Sequence, residues 1–70
     1  MRYAIVIEKT KGGFGAYVPD LPGCAATAST EGEVIAAIRE GIEIYIEELK
    51  ARGERVPEPI TKCTEVDVRV

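Results

Sequence analysis

Pro19-Asp20-Leu21-Pro22-Gly23-Cys24 sits between two apolar runs and sets how they meet. Proline fixes φ and has no N–H for a sheet ladder, so neither Pro19 nor Pro22 fits the middle of a paired strand. Each also pushes the residue before it, Val18 or Leu21, towards extended geometry. Gly23 permits φ > 0, and Asp20 can bond nearby backbone N–H groups. The stretch therefore predicts a stiff corner holding Asp20 and Leu21 outward on a shaped rim.

On the N-terminal side of the corner, Phe14 to Val18 alternates as a strand, with Gly15 marking a bulge or a close backbone approach. Lys9 to Gly13 reads as a turn, so the preceding run, Met1 to Glu8, forms a hairpin with it. Tyr3, Ile5 and Ile7 share one face of that run and Ala4 and Val6 the other, the pattern of a central strand covered on both sides. Beyond the corner, Cys24 to Ala28 is a short third strand of small residues over which a helix can lie closely.

That helix is the clearest element. Thr30-x-x-Glu33 is a capping box, Glu31 and Glu33 suit the positive end of the dipole, and Lys50 and Arg52 suit the negative end. Gly53 stands where a C′ glycine belongs, and Pro57 blocks continuation. A helix over 31–52, roughly 33 Å long, follows. Val34, Ala37, Ile38, Gly41, Ile42, Tyr45 and Leu49 line one face. Ile35, Ile44 and Ile46 widen the stripe to roughly 200°, about twice what one sheet face covers. The surplus, with Tyr3, predicts an oligomer interface. Gly41 predicts a backbone passing close to the helix. The opposite face carries Arg39, Glu40, Glu43, Glu47 and Lys50, with Arg39–Glu43 and Glu48–Arg52 as i,i+4 pairs. It reads as a solvated surface, or as an acidic surface for a basic partner.

Gly53 to Ile60 is an extended connector. Cys63 to Val70 then alternates strictly, with Thr64, Val66, Val68 and Val70 facing one way and Cys63, Glu65, Asp67 and Arg69 the other. As a half-buried fourth strand it pairs best beside the first. The expected architecture is α+β, β-β-β-α-β, with sheet order 3-2-1-4, a right-handed crossover and the helix on one sheet face. The other sheet face is left for a neighbouring subunit.

Seventy residues make one domain with a marginal core, for which association is a reasonable expectation. Twelve acidic against nine basic residues, net −3, disfavour non-specific nucleic-acid binding. No histidine is present, which removes the commonest general base and metal ligand. The two cysteines lack metal-site spacing and read as small, buried and reduced. No signal peptide or membrane span is evident, so the expected location is cytoplasmic.

The run Gly13-Phe14-Gly15-Ala16-Tyr17-Val18-Pro19-Asp20-Leu21-Pro22-Gly23-Cys24, the Thr30-x-x-Glu33 helix, and Gly53-Glu54-Arg55-Val56-Pro57-Glu58-Pro59 together resemble the HicB family of type II antitoxins. The resemblance spans nearly the whole chain. It implies a partial RNase H-like fold and binding to a small basic HicA-type toxin, an mRNA-cleaving ribonuclease whose active surface is masked. It also implies dimers or higher oligomers. Family members usually carry a further C-terminal DNA-binding domain. These 70 residues end where it would start, so a short form without DNA binding of its own is expected.

A metal nuclease of RNase H type needs several carboxylates converging on two Mg²⁺ ions. Glu8, Glu33, Asp67 and Asp20 are its candidates; Glu33 already caps the helix, Asp67 lies on a wet face, and Asp20 reads as a turn residue bonding backbone N–H groups. No catalytic residue, metal or cofactor is expected. The contact residues expected for a protein partner are Pro19, Asp20, Leu21 and Pro22 on the rim, with Glu40, Glu43 and Glu47 on the helix. Those expected between copies of the chain are Tyr3, Ile35, Ile44 and Ile46.

Overall fold

The computed structural model describes all 70 residues. Strand β1 is Val6–Thr10, β2 is Gly13–Tyr17, β3 is Ala25–Ala28, and helix α1 is Glu31–Ala51. β1 pairs with β2 antiparallel, Val6 opposite Tyr17 and Thr10 opposite Gly13. β2 pairs with β3 antiparallel, Phe14 opposite Ala28 and Tyr17 opposite Ala25. The class is α+β, and the sheet order β1-β2-β3 leaves both outer strands with one open edge.

Two expectations about the strands change. The first strand starts at Val6, not Met1, because β2 turns away after Tyr17 and Pro19 has no N–H to extend the ladder. The fourth strand is not formed: residues 63–70 have no regular structure and are all exposed. The four-stranded order 3-2-1-4 is therefore absent from the single chain. An alternating segment buries its apolar face only against a neighbouring strand, and here it has none.

Helix α1 begins and ends as its sequence dictates. The Glu33 amide donates to Thr30 Oγ1 at 3.1 Å. At the other end the Gly53 amide bonds the Lys50 carbonyl and the Glu54 amide the Leu49 carbonyl, with Gly53 at φ 71°, which is a Schellman close. Neither i,i+4 pair forms; Arg52 instead meets Glu54 at 2.9 Å, an exposed pair worth little.

The helix packs across β3 and β2. The core between them is Ala16, Val18, Leu21, Cys24, Val34 and Ile38, with Tyr3, Ile5, Ile7 and Phe14 packed against it. Cys24 is buried as expected, whereas Cys63 is exposed on the unpaired segment. What approaches Gly41 is the Cys24 sulfur, at 3.8 Å from where a Cβ would stand, not a backbone.

Candidate functional site: the corner, the groove and the acidic face

Two consecutive turns build the corner. The Leu21 amide donates to the Val18 carbonyl and the Cys24 amide to the Leu21 carbonyl, at 3.1 and 3.0 Å. Pro19 and Pro22 take the second position of each turn, where their fixed φ fits and no N–H is required. The Val18 amide closes the whole on the Cys24 carbonyl at 3.1 Å. The corner is rigid, but its leucine points inward. Leu21 is fully buried in the core, so it is not a rim contact; its apolar side chain is worth more inside than in water. Pro19 and Pro22 remain exposed and Asp20 is half-buried.

Asp20 does not serve its own turn. It accepts from Thr61, from the amide at 3.0 Å and the hydroxyl at 2.7 Å. The Thr61 amide, the Thr61 hydroxyl and a weaker Ile60 amide contribution hold its carboxyl below the usual range. Beside it, the Tyr3 hydroxyl donates to the Pro57 carbonyl at 2.6 Å. Burial, and then the charges of Glu58 and Asp20, push the Tyr3 phenol up. The Tyr45 hydroxyl donates to the Pro22 carbonyl at 2.9 Å, tying helix to corner. These three ties span 54, 41 and 23 residues of chain. For the two tyrosine ties the sequence signal was a polar group at one end of an otherwise apolar side chain, which needs a partner when covered; the Asp20–Thr61 tie had none.

The helix covers β3 and β2 more than β1, and a groove opens on the β1 side. Its volume is about 540 Å³, with Tyr3 and Ile5 on one wall and Ile35, Ile38, Ile42 and Ile46 on the other. The four residues expected between copies thus split two ways: Tyr3, Ile35 and Ile46 line the groove. Ile44 lies on the far flank of the helix, half exposed. Glu40, Glu43 and Glu47 are all exposed on the outer helix face. The carboxylates weighed for a metal site do not converge: no three acidic or cysteine side chains could share one ion. No helix is long and apolar enough to cross a membrane.

Sheet, corner, groove and acidic helix face define the class: a small α+β domain with one apolar and one acidic surface. The chain belongs to the HicB-like antitoxin family of bacterial toxin–antitoxin systems, whose family model matches residues 3–68. It is 40% identical over 58 residues to the UPF0150 protein Ta0767 of Thermoplasma acidophilum, covering 81% of this chain and 84% of that one. It is 43% identical over 56 residues to the UPF0150 protein ssr1765 of Synechocystis, covering 79% and 71%. Among solved structures, it matches a chain of the HicA3 and HicB3 toxin–antitoxin complex at 33% identity and a TM-score of 0.73. That match covers 86% of this chain and 70% of the other.

Proposed function

We propose that the protein is the antitoxin of a HicA-type pair, binding a small basic mRNA-cleaving toxin and masking its active surface without chemistry of its own. The observation that carries this reading is the likeness, in both sequence and fold, to a chain from a toxin–antitoxin complex. Charge supports it: the chain carries net −3, and Glu40, Glu43 and Glu47 form an exposed acidic row for a basic partner. Pro19 and Pro22 add a preorganised rim, which costs little ordering entropy on binding. The strand order and returning helix support reading the domain as a partial RNase H-like fold. The open groove supports self-association as the state in which the antitoxin works.

Co-expression with a HicA-type toxin tests the proposal. The expected result is a co-eluting complex, restored growth and loss of mRNA cleavage. Glu40→Lys with Glu43→Lys and Glu47→Lys should weaken the complex and flatten its salt dependence. A wild-type chain that neither binds nor rescues against the toxin of its own operon would overturn it.

A further inference from the structure

We infer that the segment 63–70 is a strand given to a second copy of the chain, pairing with the free edge of that copy's β1 and laying its valines into that copy's groove. This deepens the self-association reading above and rests on it.

Three observations fit together. The outer edge of β1 has no strand beside it, so its N–H and C=O groups stand ready for one. The groove, walled on one side by Tyr3 and Ile5, which lead into β1, leaves the Ile35 and Ile46 flank of the apolar helix stripe uncovered. The segment 63–70 has the alternation of a half-buried strand, yet Val66 and Val68 are 77% and 73% exposed. An edge without a strand and a strand without an edge occur in one molecule.

The segment cannot easily serve its own β1. The connector is tied first to Tyr3 at Pro57 and then to Asp20 at Thr61. It thus runs from the β1 side of the sheet towards the corner that follows β2. A return to its own outer edge would need a reverse turn just after Thr61. Lys62-Cys63-Thr64-Glu65 offers no Gly, Pro, Asn or Asp for one. A copy related by a two-fold axis receives the segment with no such turn and gives its own in exchange.

Size agrees. The chain's radius of gyration is 13.8 Å, where a compact domain of this length has about 11 Å. Its accessible surface is 5714 Å², against about 4,300 Å² for a compact chain of this mass. The excess, about 1,400 Å² per chain, is of the order that two copies in a permanent dimer bury between them.

The test uses the full chain. Cys24 is buried and Cys63 exposed, so a nitroxide label goes on Cys63 alone. Labelled chain is co-refolded with an excess of unlabelled, ¹⁵N-enriched chain. The expected result is a dimer mass by light scattering and selective broadening of the ¹⁵N amides of Val6–Thr10. Val66→Lys with Val68→Lys alters side chains that are exposed in the single chain, so it should give a folded monomer with that broadening gone. A wild-type monomer overturns the proposal. So does a dimer without β1 broadening, or broadening seen only when label and ¹⁵N share one chain. A chain that fails here and still binds a HicA-type toxin leaves the antitoxin reading standing; the reverse result separates the two the other way.

Discussion

The corner, Val18 to Cys24, and the C-terminal segment, 63–70, carry equally clear patterns, yet only one of them finds its partners within the chain. The corner closes three backbone hydrogen bonds on itself and buries Leu21 and Cys24. The segment closes none and leaves its valines in water. The difference is one of range. Turn chemistry is local: proline and glycine at the right offsets fix the backbone with bonds inside seven residues. Strand periodicity says only that one face should be covered, never by what.

The largest effect expected from this contrast is at Leu21. Leu21→Ala removes a fully buried side chain and should cost about 2–5 kcal/mol. Val68→Ala in dilute, dissociated chain should stay within about 0.5 kcal/mol. Urea denaturation of both variants measures the gap; similar midpoints would mean that the corner is not part of the core. Gly13→Ala comes next. The new methyl would sit inside van der Waals contact with the Ala28 carbonyl oxygen, a backbone atom that cannot swing aside. A loss of about 1–3 kcal/mol is expected. Gly12→Ala, with open space at its Cβ, should be close to neutral. Thr30→Ala removes the acceptor for the Glu33 amide and should cost about 1 kcal/mol, seen as a lower thermal midpoint. Thr64→Ala, on the unpaired segment, should leave that midpoint unmoved.

The same contrast explains what was legible. The hairpin, the corner, the third strand and both helix ends were readable because each is specified by residues within about five positions of one another. The apolar stripe was legible, as was its excess width, which reappears as the groove and the exposed Ile44. Leu21 was misplaced because a leucine between turn residues looks exposed until the helix that covers it is known. Asp20 was assigned to its own turn because nothing in the sequence marks Thr61, 41 residues on, as its donor. The fourth strand was expected inside the chain because its pattern is right, and only the path of the connector sends it elsewhere.

Asp20 and Thr61 join the two regions, and they supply the smallest and most local effect. The carboxyl accepts two hydrogen bonds that only its charged form holds well, so its folded value lies below the ordinary 3.8. A depressed value contributes stability that is fully present above 3.8 and is lost as pH falls through the lower, folded value. Acid below 3.8 should therefore free the connector at Thr61 while the helix and corner keep their bonds. Amide exchange followed by NMR reads this directly: Thr61 protection should fall first, ahead of Val34 and Ile38. In Asp20→Ala, Thr61 should be unprotected at every pH, with Val34 and Ile38 little changed. If Thr61 kept its protection in that variant, the carboxylate would not be what fastens the connector. The direction in which residues 62–70 leave the corner would then lose its physical cause.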